Sequence, residues 1–154
     1  MEHAATPSTG LTLVVDSVRD DLETKRDFVK LIEAVFSNNP ANYLVMATTN
    51  YLPIKQIVTQ CERPEKVVGV RLYTPVKSSQ MVEVIRSDST DAQLASLIVD
   101  IFTGRGKAII NSSDTCGFFA TRMISAVAFE CLSLVQHGVK LDEIEKLSKG
   151  EKKY

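Results

Sequence analysis

The side chains most able to do chemistry in this sequence are scattered along it. The thiols are Cys61, Cys116 and Cys131, and the imidazoles are His3 and His137. A zinc site needs Cys and His ligands at close spacing, and no such cluster is present. An odd set of widely separated cysteines is typical of reduced thiols in a reducing compartment. The sequence therefore predicts no metal site.

Glycine spacing also argues against a nucleotide-phosphate loop. The sequence contains neither a GxGxxG turn nor a P-loop, and it has no GxSxG nucleophile elbow. One segment combines glycines with basic residues, Gly104-Arg105-Gly106-Lys107, but it precedes a predicted strand and does not begin a helix. It is therefore predicted to form a helix end and a turn.

Glu83 is the unusual carboxylate of the chain because it lies within an apolar strand. Strand alternation places Glu83 with Met81 and Ile85 on one face, and Val82 and Val84 on the other. Charged residues are rarely buried without a partner, so spacing alone predicts an exposed sheet face. A cleft is the alternative position.

Composition restricts the class of protein. The chain has 154 residues, of which 44% are hydrophobic and 24% charged, with a net charge of -1. This balance is typical of one globular domain, or of a domain with an extension. A nearly neutral chain indicates neither nucleic acid nor an anionic membrane surface as a partner. No apolar run approaches the length of a membrane span.

Hydrophobic periodicity predicts alternating strands and helices. Strands are predicted at residues 11–16, 43–47, 66–72, 81–85 and 107–111, and helices at 22–35, 53–57, 91–102, 117–137 and 141–147. This order indicates an α/β layer fold that changes to helix alone near residue 117. We therefore expect a flexible segment at 1–10, an α/β domain at 11–115, a helical segment at 116–148 and a charged tail at 149–154.

Five strings, taken in order, carry a family resemblance. They are LVMATTNYLPI at 44–54, RPEKVVGVRLYTPV at 63–76, MVEVI at 81–85, GK at 106–107 and DTCGFFATR at 114–122. Together they resemble the NAD-dependent 3-hydroxyacyl-CoA dehydrogenase family over about residues 13–147. The resemblance implies the later half of a Rossmann-like dinucleotide-binding domain, followed by the start of an all-helical C-terminal domain. The glycine-rich turn that binds the cofactor pyrophosphate has no counterpart here, so the resemblance implies no cofactor.

The family's catalytic positions are occupied by other residue types. Arg71 stands where the family has its catalytic histidine, Thr74 and Thr121 where it has two asparagines, and Asn50 where it has the substrate serine. The family histidine is the base that takes the proton of the substrate hydroxyl group. An arginine stays protonated at neutral pH and cannot take that proton. Glu83 matches the glutamate that orients the histidine. The resemblance therefore implies a degenerate site with Glu83 as its one retained member, without catalytic, cofactor-binding or metal residues.

Two further expectations follow from the resemblance. Arg71 and Glu83 are expected to form a buried or half-buried ion pair in place of the catalytic dyad, so that reversing both charges restores stability. Lys25 matches a lysine that approaches the cofactor. Without a cofactor, Lys25 is predicted to be an ordinary surface lysine of its helix.

Two elements that are covered by other parts of the protein in the family indicate the expected function. The strand at 11–16 and the long helix at 117–137 would both be covered in the family, and exposed edges and large apolar patches rarely persist in a monomer. We expect a non-catalytic pseudoenzyme, a structural or accessory subunit that contacts a membrane only through its partner subunits. A mitochondrial respiratory-chain or ATP synthase complex is the expected setting, with peroxisome and cytoplasm left open. The alternatives are half of a split NAD-dependent dehydrogenase and an acyl-CoA-binding module.

Overall fold

The computed structural model describes residues 10–150. The chain divides into two compact units, Met1–Phe119 and Ala120–Tyr154. The predicted flexible segment at 1–10 falls almost wholly outside the described residues, as does most of the charged tail. The first unit is an α/β layer and the second is helical, as the periodicity predicts.

The first unit is built on a five-stranded sheet in the order β1-β2-β3-β4-β5. Its strands are β1 (Thr12–Asp16), β2 (Tyr43–Thr48), β3 (Val67–Leu72), β4 (Met81–Arg86) and β5 (Ala108–Ser113). The pairs β1–β2, β2–β3 and β4–β5 are parallel, whereas β3–β4 is antiparallel. The carboxyl ends of β1, β2 and β3 therefore lie at the same end of the sheet. All five predicted strands are confirmed.

Helices cover the two faces of the sheet. Helices α1 (Leu22–Val35) and α2 (Ile54–Ile57) pack on one face, and α3 (Ala92–Thr103) packs on the other. Val14, Val45 and Ile85 point toward α1 and α2, whereas Leu44, Val68, Val82 and Val84 point toward α3. β2 is buried along almost its whole length, as a parallel strand covered on both faces must be.

The second unit contains α4 (Ala120–Gln136) and α5 (Leu141–Ser148). The long helix therefore begins at Ala120, three residues later than predicted. Gly117 and Phe118 both have positive φ, at 75° and 49°, and these left-handed conformations cannot belong to a right-handed helix. Among residues 10–150, no helix is both long and apolar enough to span a membrane.

Candidate functional site

Glu83 lies at the centre of a buried hydrogen-bond network in the first unit. Its side chain has no exposed surface, and Oε1 accepts hydrogen bonds from the Ser112 hydroxyl and, at 2.5 Å, from the backbone N–H of Phe119. Oε2 accepts a 2.8 Å hydrogen bond from the Tyr73 hydroxyl. The surface position predicted from strand spacing alone is therefore wrong. A buried carboxylate needs such donors, since desolvation without them is costly.

Arg71 shares the face of the sheet that carries Glu83. The two residues are direct partners across the antiparallel pair of β3 and β4. The Arg71 guanidinium carbon lies 5.3 Å from the centre of the Tyr73 ring, a distance suited to a cation–π contact. Burial, and then the hydrogen bond to Glu83, raise the pKa of the Tyr73 phenol, while the Arg71 charge opposes this shift. The register is compatible with the predicted Arg71–Glu83 ion pair, which stays a prediction.

Lys25 is fully buried, so its predicted position on the surface of α1 is wrong. Its Nζ donates to Asp16 Oδ2 at 2.8 Å and to the Thr48 carbonyl at 2.6 Å, and it lies 3.8 Å from Asp20 Oδ1. Asp16 ends β1 and Thr48 ends β2, so the lysine joins the carboxyl ends of two parallel strands. A buried amine needs acceptors of this kind to offset the loss of water.

The other three positions predicted to be degenerate lie in two loops and in α4. The Asn50 backbone N–H follows β2 and donates to Asp20 Oδ2 at 2.8 Å, which ties the Asn50 loop to the turn before α1. Thr74 is exposed and precedes Pro75 through a cis peptide bond. Thr121 is the second residue of α4 and is half-buried in the second unit.

Each helix N-terminus of the α/β unit is already capped by a carboxylate. Asp21 accepts from Thr24 N at the start of α1, and Asp91 accepts from Gln93 N and Leu94 N at the start of α3. Asp114 reaches from beyond β5 to accept from the first two N–H groups of α2, at 2.6 and 2.7 Å. A dinucleotide pyrophosphate binds at such an N-terminus because the N–H groups and the helix dipole attract negative charge. The described residues therefore do not fit a pyrophosphate in this manner.

The thiols do not form a metal centre within the described residues. Residues 10–150 contain no group of three or more His, Cys, Asp or Glu side chains that could hold a metal ion. Cys61, Cys116 and Cys131 are free thiols. Burial, followed by the negative charge of Glu33, raises the pKa of Cys61 to about 11. A thiol with a raised pKa is a poor nucleophile at neutral pH.

Sequence reasoning missed the partners of Glu83 and Lys25, although weak signals for them were present. Tyr73 follows Arg71 by two residues, which places both on one face of β3 and its extension. Ser112 lies just beyond the predicted end of β5. Lys25 lies three residues after Leu22 and four before Val29, on the apolar stripe of α1, and this spacing predicts burial.

The sheet order and the helices on both faces define an α/β dinucleotide-binding type of fold. The family model for the "3-hydroxyacyl-CoA dehydrogenase, NAD binding domain" matches residues 2–115. The fatty acid oxidation complex subunit alpha of Shewanella loihica is 33% identical over 134 residues, which are 87% of this chain and 19% of that protein. The chain belongs to the 3-hydroxyacyl-CoA dehydrogenase family, so the resemblance read from the five strings is confirmed.

Solved structures confirm the fold. FadB2 from M. tuberculosis superposes with a TM-score of 0.78 at 21% identity, over 90% of this chain and 49% of that one. The 3-hydroxyacyl-CoA dehydrogenase from Archaeoglobus fulgidus gives 0.75 at 21% identity, over 89% of this chain and 46% of that one. The chain thus corresponds to about half of these relatives. The fold is Rossmann-like α/β followed by a helical segment, as expected.

Proposed function

We propose that this chain is a non-catalytic member of its family that serves as a subunit of a larger protein assembly. The observation that carries the proposal is the strand register, in which Arg71 of β3 lies directly opposite Glu83 of β4. Arginine at the position of the family base cannot accept the hydroxyl proton at neutral pH. Both oxygens of Glu83 already accept hydrogen bonds, from Tyr73, Ser112 and the Phe119 N–H. None of these donors can act as a general base at neutral pH.

The capped helices support a role without the cofactor. Asp21, Asp91 and Asp114 place negative charge at the helix N-termini where a pyrophosphate would need positive potential. Lys25 is held inside the fold by Asp16 and the Thr48 carbonyl, so its amine is engaged internally. We therefore propose that these polar groups stabilise the fold and do not bind NAD.

Exposed apolar side chains of α4 support a role in an assembly. Phe129 is 71% exposed, and Ile124 and Val127 are each 61% exposed. Apolar surface of this kind on a helix usually marks a protein interface. The related protein from Shewanella loihica is named as a subunit of a fatty acid oxidation complex. We propose partner subunits of a mitochondrial complex, such as a respiratory-chain or ATP synthase complex, as the setting.

The native mass of the chain, purified from its source with its co-purifying proteins identified, tests this function. A large complex of fixed stoichiometry, located in the mitochondrial fraction, is the expected result. A folded monomer or homodimer in the source would refute the subunit role. Location in another compartment would refute the mitochondrial setting alone.

An activity assay and a thermal-stability assay separate the alternatives. The isolated chain is expected to show no NAD-dependent activity on an acetoacetyl-CoA-type substrate. Activity that returns on mixing with the co-purified chains would instead support half of a split dehydrogenase. A thermal midpoint that rises with acyl-CoA concentration would support an acyl-CoA-binding module, because a ligand stabilises the folded state that binds it.

A further inference from the structure

We infer that Glu83 has a role apart from catalysis, as the anchor that fixes the backbone where the chain leaves the sheet and enters α4. The inference rests on the proposed function in one respect, because it takes Glu83 to be released from orienting a catalytic base. Phe119 donates its N–H to Glu83 Oε1 at 2.5 Å, and it is the last residue of the first unit and directly precedes α4. The carboxylate therefore binds the end of the first unit.

The position of Glu83 in the sheet makes it a rigid attachment point. β4 pairs with β3 on one side and with β5 on the other, so its backbone is held along both edges. The Glu83 side chain has no exposed surface. The Ser112 hydroxyl donates to Oε1 and the Tyr73 hydroxyl donates to Oε2. These two hydroxyls hold the carboxylate in the orientation in which Oε1 accepts from the Phe119 N–H.

The backbone before Phe119 has a conformation that its surroundings must hold. Gly117 and Phe118 have φ angles of 75° and 49°, and a bulky residue rarely adopts positive φ. Such conformations persist only where the surrounding structure determines them strongly. The Phe118 side chain is buried in the core on the α1 and α2 side of the sheet, and Glu83 binds the next N–H along the chain. Phe118 is thus fixed both by its own side chain and by the peptide group that follows it.

Glu83 differs from the carboxylates that cap the other helices. The N–H groups at the start of a helix have no acceptor within that helix. Asp21 and Asp91 directly precede α1 and α3 and accept from such N–H groups locally. Glu83 instead lies 36 residues before Phe119 in the sequence. It therefore ties the residue before α4 to the sheet, which a local cap cannot do.

The anchor gives a physical reason for a glutamate at position 83, although Arg71 stands at the position predicted for the catalytic base. Without the carboxylate, the buried donors of Tyr73, Ser112 and Phe119 would lose their acceptor. A buried donor without an acceptor destabilises a fold more than its hydrogen bond stabilised it. Glu83 is therefore required by the backbone that it holds, whether or not a base is present.

Amide hydrogen exchange, followed by NMR on the full 154-residue chain, tests the anchor. The Phe119 amide is expected to exchange roughly a hundredfold or more slowly than the same amide in the unfolded chain, because a bonded amide exchanges only on local opening. The Phe119 side chain is 49% exposed, so its burial does not account for such protection. A Phe119 amide that exchanges as in the unfolded chain would overturn the anchor without any variant.

Glu83→Gln retains the shape of the side chain and removes its charge. A hydrogen bond to a charged acceptor is roughly twice as strong as one to a neutral acceptor. The reference is the Ile54 amide, which Asp114 Oδ1 binds at 2.6 Å. Exchange at Phe119 is expected to rise roughly tenfold relative to exchange at Ile54, so that any loss of global stability cancels. Ser112→Ala is the matched control, because it removes another donor to the same oxygen and should leave this ratio unchanged.

Two contrary results with the variants would overturn the anchor. An unchanged ratio in Glu83→Gln would mean that the carboxylate charge does not hold Phe119. An equal rise in Ser112→Ala would mean that the whole network, and not the bond from Glu83, controls local opening. If the thermal midpoint shows that Glu83→Gln is unfolded, exchange at Phe119 in the wild type decides the question. NAD-dependent activity of the chain would refute the proposed function, and the exchange rates test the anchor separately from that result.

Discussion

Loss of one member of the buried ion pair between Lys25 and Asp16 should strongly destabilise the fold, because the other charge would remain buried without its partner. Replacing Lys25 with methionine retains the length of the side chain but leaves Asp16, whose side chain is 1% exposed, as an uncompensated buried charge. Asp16 would then accept only the 2.9 Å hydrogen bond from Val18 N, and the Thr48 carbonyl would lose its lysine donor. Removing one member of a buried pair costs about 3–5 kcal/mol.

Urea unfolding of Lys25→Met therefore should give a free energy of unfolding lower by about 3–5 kcal/mol. The matched control is Lys30→Met on the same helix, because Lys30 is exposed and should change the value by less than about 0.5 kcal/mol. The double variant Asp16→Leu/Lys25→Met removes both charges and should recover most of the loss. A cost for Lys25→Met no larger than that for Lys30→Met would refute the argument for a buried, coupled pair.

Three other perturbations address the Glu83 network, the sheet and the thiols. Tyr73→Phe removes a donor from the buried Glu83 carboxylate and should lower the free energy of unfolding by about 1.5–3 kcal/mol in urea. Gly69→Ala would put a Cβ 2.5 Å from two side-chain atoms of Ile54, and overpacking of this kind should cost about 1–3 kcal/mol in the same assay. Cys61 should react with iodoacetamide at pH 8 roughly a hundredfold more slowly in the folded chain than in urea, because burial raises its pKa from 9.0 to about 11.

Each of these predictions has a control in the same chain. Tyr51→Phe removes a hydroxyl from a tyrosine that is 47% exposed and should change stability little. Gly10→Ala adds a methyl group where no atom lies within 4 Å, so it should not reproduce the cost at Gly69. Labelling of Cys61 is measured with Cys116 and Cys131 replaced by serine. Equal losses for test and control variants, or equal labelling rates in the two states, would contradict the corresponding argument.

The elements of the fold could be predicted from local sequence, with small errors at their ends. All five strands follow from short apolar runs, and α1 has the bounds that its apolar periodicity predicts. The start of α4 was missed because Gly117 and Phe118 read as helix by apolar periodicity. Backbone conformations with positive φ are imposed by packing, and Phe118 is 98% buried in the core of the first unit, as its 2% exposure shows.

The sequence by itself determined the element order and the family, because these depend on residue types and on short-range periodicity. Only the tertiary structure decided which polar groups meet. Glu83 bonds to Ser112 and to Phe119, which follow it by 29 and 36 residues, and Lys25 bonds to Thr48, 23 residues away. Contacts at such separations depend on strand register and on the crossing of helices over the sheet. A polar side chain on an apolar stripe can be assigned to core or surface only when its partner is known.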